Sequence, residues 1–247
     1  MSTGIWSAAS GAVSKTTALD VASVNISNVA TPGYRAETAV FRQTLANAVD
    51  ATRGTESLRY AITRTTIPSF RAGQIVDSGK PLDAAIPEDN GFFAVSTPEG
   101  ERYTRAGSFR LTSEGGLVMP DGTPILGENR RPIQIDPTQT NVRIDREGNL
   151  MGADGSPVGK LRLVKFDNLS GLQKQGQVLF RALPGAGTPS VYEGGLAEGC
   201  IEQSNCNTVQ GMSKLVTLSR EFEMITKVIE AFSQCDRKAA TDIASSR

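Results

Sequence analysis

Apolar residues recur every seven positions at both ends of the chain, and the stretch between follows a different rhythm. At the amino end Ile5, Ala12, Leu19 and Ile26 share one register, and Ala8, Ala22 and Val29 stand three residues after their partners. On a helix these positions form one apolar stripe. Gly4 and Gly11 weaken the first turns, and Pro32 with Gly33 stops the element, so the spacing predicts a helix over about residues 5–29. At the carboxyl end Leu215, Phe222 and Ile229 alternate with Leu218, Ile225 and Phe232, while Lys214, Arg220, Glu223, Lys227 and Glu230 fall outside that stripe. This predicts an amphipathic helix over residues 209–244, about 50 Å long at the usual helical rise. Asp236 weakens the seam near its end.

Small Ala positions on the first stripe and bulky Leu, Phe and Ile positions on the second call for complementary close packing. The two ends of the chain are therefore expected to meet as a coiled coil.

From about Ile62 to Glu198, Gly, Pro, Asp and Thr punctuate short β-prone stretches, among them 91–96, 108–112, 142–145 and 160–166. That pattern reads as antiparallel β-structure with tight turns. Residues 109–125 align without a gap on 142–158, offset by 33, with seven of seventeen positions identical. Gly115 and Gly148 each follow a glutamate, Leu117 and Leu150 restart a strand, and Asp121-Gly122 matches Asp154-Gly155. Asp-Gly suits turns that need positive φ, so each copy reads as strand, turn, strand, turn, strand. Between the first helix and this region, Thr31 to Tyr34 reads as a turn, Glu37 to Ala51 as a possible helical continuation, and Thr52 to Pro81 as extended. The expected fold class is α+β: a mainly antiparallel β central domain whose terminal helices pack together. The expected divisions are a first helical segment 1–36, a transition 37–80, a β-rich domain 81–198 and a second helical segment 199–247.

Composition narrows the chemistry. The 26 basic and 26 acidic residues cancel, which argues against a nucleic-acid partner. With no histidine among 247 residues, His-dependent nucleophiles and His-ligated metals are excluded. Cys200, Cys206 and Cys235 lack C-x-x-C spacing and read as buried thiols rather than a disulfide framework or zinc site. No apolar run reaches the ~18 residues of a membrane span, and no basic segment precedes an apolar one at the amino end, so neither membrane insertion nor a cleaved secretory signal is expected. Glu88-Asp89 and the Asp145, Glu147 and Asp154 group read as loop and turn residues; the latter fail the order of a calcium loop. Asn25-Ile26-Ser27 matches a glycosylation sequon but falls inside the expected first helix. No catalytic residue, cofactor site or metal site is assigned.

Four stretches in register carry a resemblance. They are Asn25 to Arg35 (NISNVATPGYR), Pro81 to Val95, Tyr103 to Gly127 with its YTRAGSF start, and Gly199 to Asn207 (GCIEQSNCN) followed by Phe222-Glu223-Met224. Together they resemble bacterial flagellar rod and hook proteins across nearly the whole chain. The length and the 159–166 (GKLRLVKF) and 177–181 runs look most like the proximal-rod branch, with the distal rod as the near alternative.

The resemblance implies a structural subunit exported through the flagellar type III apparatus and polymerised in the periplasm with itself and other rod proteins. On that expectation the terminal helices of many subunits line an inner tube and order on docking, and the β-domain faces outward. The contact residues are then expected to be Ile5, Ala12, Leu19, Ile26, Leu215, Leu218, Phe222, Ile225, Ile229 and Phe232, with Asn28 and the Thr31, Pro32, Gly33 and Tyr34 turn setting the angle. A surface adhesin or carbohydrate-binding β-module with helical stalks is the alternative of a different class.

Overall fold

A computed structural model describes residues 3–47, 57–137, 139 and 141–245. The chain is α+β, with two long helices and mostly antiparallel sheets. Helix α1 spans Thr3–Ser27 and helix α2 spans Thr208–Ser245. Both agree with the expected helices to within about two residues at each end, the usual uncertainty of helix ends.

The chain divides into two compact units: residues 1–27, 37–67 and 207–247, and residues 28–36 with 68–206. In the first unit α1 and α2 run antiparallel. A Cβ at Gly211 would stand 3.1 Å from Ile26, and one at Gly11 would stand 3.8 Å from Ile225. Between these points Lys15 Nζ donates to Glu221 Oε2 at 2.7 Å. The pairing of the chain's ends is thus observed.

The same unit holds a two-stranded ribbon, β1 (Glu37–Asn47) with β2 (Ser57–Pro68). This corrects the helical reading of Glu37 to Ala51, of which residues 48–51 lie outside the described part. Thr38, Val40 and Thr44 are β-branched, and pairing with the Thr- and Ile-rich β2 outweighs a local pattern compatible with either state. The ribbon is tied to α1 through Asn25, whose side chain donates to the Glu37 carbonyl at 2.8 Å and accepts from the Glu37 amide at 2.9 Å. The sequon asparagine at the end of α1 is therefore a strand partner.

In the second unit, a six-stranded antiparallel sheet runs in the order 172–175, 179–182, 100–104, 91–97, 163–165, 190–191. One core cluster groups Phe93, Val95, Leu117, Ile125, Ile144 and Leu150; a second groups Phe92, Tyr103, Val164, Phe166 and Phe180. Alternation along strand 91–97 explains the division, since Phe92 and Phe93 point to opposite faces. Edge-to-face contacts, Phe93 with Phe109 at 5.1 Å and Tyr103 with Phe166 at 4.8 Å, order the two clusters.

The internal repeat is visible in the backbone bonds. The Thr112 amide donates to the Gly116 carbonyl as Asp145 does to Asn149, and Met119 to Thr123 as Gly152 does to Ser156. Gly115 and Gly148 (φ 84° and 79°), like Gly122 and Gly155 (φ 91° and 77°), occupy the left-handed region. The restarting leucines, Leu117 and Leu150, are both fully buried.

Candidate functional site

The helical pair carries ten of the expected contact residues. Ile5, Ala12, Leu19, Ile26, Leu215, Phe222, Ile225 and Ile229 are half-buried. Leu218 is buried at 8% exposure, and Phe232 stands outside at 37%. Several large apolar side chains off the stripe face solvent: Trp6, Val13 and Val24 on α1, and Val209, Met212, Val216, Met224 and Val228 on α2. Helix α1 carries only two charged residues, Lys15 and Asp20, and Lys15 is engaged by Glu221. A surface helix normally places polar and charged residues opposite its stripe; α1 instead shows small residues, hydroxyls and exposed apolar side chains. Three of its hydroxyls, those of Ser14, Thr16 and Thr17, donate to carbonyls of the helix's own backbone four residues earlier.

In the other unit the remaining five expected residues form a turn. Thr31 donates from its amide and its hydroxyl to Asn28, both at 3.1 Å, and the Tyr34 amide reaches the Thr31 carbonyl at 3.3 Å. Gly33 sits at φ 69°, where a Cβ would fall 2.2 Å from the Ala106 amide nitrogen; only glycine fits there. Its amide donates to the Glu202 carbonyl at 2.8 Å. Tyr34 is fully buried under the Lys174 ammonium, which lies 3.7 Å from the ring centroid. Lys174 also donates to the Arg35 carbonyl at 2.9 Å.

Sequence reasoning assigned no role to three residues that hold this turn in place. Arg35, Arg105 and Glu202 are all sealed from solvent. Glu202 Oε1 lies 2.6 Å from Arg35 Nη1, a close ion pair without hydrogen-bond alignment. Its Oε2 accepts from Arg105 Nε at 2.9 Å. Oε1 also accepts from the Gly73 amide at 2.7 Å. The other Arg105 nitrogens donate to the carbonyls of Glu88, Gly91 and Ile86. Burial pulls the Arg105 guanidinium below its ordinary value and Arg35 adds to this, while the Glu202 carboxylate opposes both. The three residues fall inside the stretches that carry the family resemblance, but Arg110, Glu114 and Asp121 fall there too, so charge alone did not single them out.

Other expectations have plainer outcomes. Cys200 and Cys206 are half-buried and Cys235 is exposed, so the buried-thiol reading is corrected; Cys235 lies off the α2 stripe. Asp145 and Asp154 are turn residues, accepting amide bonds from Glu147, Asn149 and Ser156. Among the described residues no helix is long and apolar enough to cross a membrane.

Comparison with known proteins places these features. A family model described as the flagellar hook protein FlgE/F/G D1 domain matches residues 85–152, and one described as the flagellar basal body rod FlgEFG protein C-terminal matches residues 197–242. A flagellar basal-body rod protein FlgF from Caulobacter vibrioides is 30% identical over 221 residues, covering 90% of this chain and 89% of its own. A FlgG from Bacillus subtilis is 33% identical over 248 residues, covering 91% and 93%. A FlgF from Rhizobium meliloti is 30% identical over 251 residues, covering 100% of each chain. The chain belongs to the flagellar basal-body rod protein family. The first family match takes in Arg105 and most of both repeat copies; the second takes in Glu202 and most of α2.

Proposed function

We propose that this chain is a structural subunit of the flagellar basal-body rod, in its proximal part, and that it polymerises into the axial shaft carrying torque from motor to hook. Family membership over nearly full length is the observation that carries the reading. The physical argument is that contacts repeated by a rotation and a rise generate an open helical assembly. The exposed apolar side chains of α1 and α2 suit such contacts, because docking removes them from water.

In this reading the terminal helices form the inner wall as a coiled coil, with Ile5, Ala12, Leu19, Ile26, Leu215, Leu218, Phe222, Ile225, Ile229 and Phe232 as its contacts. Asn28 and the Thr31 to Tyr34 turn mark where that wall gives way to the outer β-domain. Export follows the flagellar type III route without a cleaved signal, and assembly takes place in the periplasm with other rod proteins. The work is mechanical, with no catalytic step.

The distal rod is the second reading, favoured by an identity to a FlgG as high as that to any FlgF cited above. The relatives support a rod subunit over an adhesin. The test is removal of residues 1–27 or 208–245 in the cell. Loss of the chain from purified basal bodies, with loss of motility, is the expected result; truncated chains that still assemble and support swimming would end the proposal.

A further inference from the structure

The chain enters the β-rich unit at residue 28, leaves it after 36, returns at 68 and leaves again after 206. Three of these passages are flanked, inside the unit, by the stretches 33–36, 69–74 and 202–205, and the last of these holds the other two at two places. The first place is Glu202. Its carbonyl accepts from the Gly33 amide at 2.8 Å, and its carboxylate accepts from the Gly73 amide at 2.7 Å and pairs with Arg35. The second is Asn205. Its Oδ1 accepts from the Ala36 amide at 2.8 Å, and its Nδ2 donates to the carbonyls of Ser69 at 2.8 Å and Arg71 at 3.0 Å. The oxygen and the nitrogen of one carboxamide are thus both spent on the backbone of two other stretches. Glu202 is sealed from solvent, whereas Asn205 is half-buried, so the second tie stands apart from the buried charge cluster.

We propose that Asn205 is a clasp through which the rod subunit shares mechanical load among these three stretches. A pull arriving along one stretch held by itself opens its backbone bonds one after another. With Asn205 in place, the end of 33–36, the start of 69–74 and residue 205 cannot part without breaking the bonds to Ala36, Ser69 and Arg71 together. Bonds that open together resist a pull by their sum, and bonds that open in turn resist it singly. The direct backbone ties at this place are the Ser69 amide to the Ala36 carbonyl at 2.8 Å and the Asn205 amide to the Tyr34 carbonyl at 3.4 Å, the second long for a hydrogen bond. The carboxamide is specific for the task. An aspartate keeps the acceptor for Ala36 but sets a carboxylate against two carbonyl oxygens, and an alanine keeps neither. The role rests on the rod reading, in which the subunit carries torque, and names a residue that lets it do so.

The test uses the full-length chain. In Asn205→Ala the Ala36 amide should exchange with deuterium roughly fivefold to tenfold faster, and in Asn205→Asp it should stay protected. The Gly33 and Gly73 amides, which bond to Glu202, should be unchanged in both variants. Acceleration of all three amides alike, or of none, overturns the clasp. In cells, Asn205→Ala is expected in purified basal bodies at the wild-type amount, with normal swimming in dilute medium. In viscous medium its flagella should be shed roughly fivefold more often than those of wild type. Equal shedding at equal incorporation overturns the load-sharing role. Failure of Asn205→Ala to be incorporated, with Gly33 and Gly73 still protected, overturns it as well and makes Asn205 an assembly residue instead. If wild-type chain is absent from basal bodies, the rod reading fails and load sharing with it, while the exchange rates still report whether Asn205 ties the three stretches.

Discussion

Glu202 Oε1 stands 2.6 Å from Arg35 Nη1, joining residues from the two ends of the β-rich unit in a fully buried ion pair. With Arg105 on the other carboxylate oxygen, the three side chains carry one net positive charge inside the protein. Their removal costs should therefore be unequal. Glu202→Gln leaves two buried guanidinium groups facing one another and is expected to destabilise the unit by about 3–5 kcal/mol. Arg35→Met leaves a neutral Arg105–Glu202 pair and should cost clearly less. Denaturant unfolding of both variants checks the order, and equal losses would show that the charges are not what the site depends on.

Two glycines with nearly the same backbone angle separate steric from conformational cost. Gly33 (φ 69°) would place a Cβ 2.2 Å from the backbone of Ala106, whereas Gly79 (φ 66°) has open space around that position. Gly79→Ala should cost about 1–2 kcal/mol, the strain of a left-handed L-residue. Gly33→Ala adds a backbone collision that no side-chain rotation relieves, so a substantially larger loss of thermal stability is expected. The difference between the two melting temperatures is the measurement.

How much of this was legible in the sequence follows from the range of the forces involved. The helices were, because an apolar stripe repeats along a single element and needs no knowledge of its partner. The paired turns were as well: Asp-Gly and Glu-Gly fix backbone angles locally, and Gly115, Gly122, Gly148 and Gly155 all have positive φ. The ribbon β1 was not, since Glu37–Asn47 is a strand through pairing with residues that begin ten positions beyond its end. The Arg35, Glu202 and Arg105 cluster was hidden for the same reason. Each residue looks like surface charge until the fold brings the three together.

The second repeat copy should respond to acid. Burial raises the Asp145 carboxyl, but hydrogen bonds from the Asn149 side chain and from the Asn149, Glu147 and Gly148 amides outweigh it and hold the group below its ordinary value. The Ser156 side chain and amide do the same for Asp154. For a depressed folded pKa, the stabilisation is fully present above the unfolded value and is lost as pH falls through the folded one. Amide exchange of Glu147, Asn149 and Ser156 should therefore accelerate as pH is lowered through and below the ordinary aspartate range, after correction for intrinsic rates. Asp145→Asn should flatten the response at Glu147 and Asn149 while leaving that of Ser156.

The helical pair offers a case in which the same substitution type has different expected effects. Gly11 and Gly211 both lie inside helices, where alanine gains up to about 1 kcal/mol over glycine. At Gly11 the new Cβ meets only Ile225 Cδ1 at 3.8 Å, an ordinary contact, so Gly11→Ala should stabilise the pair by close to the full helical gain. At Gly211 it meets Ile26 Cγ1 at 3.1 Å, so part of the gain is offset by displacement of Ile26, and Gly211→Ala should stabilise less or not at all. Gly211→Leu has no room in that crossing and should separate the helices at this end. Far-UV circular dichroism melts of the three variants test the ranking. A Gly211→Leu variant as stable as wild type would mean that the two helices do not meet where Ile26 faces Gly211.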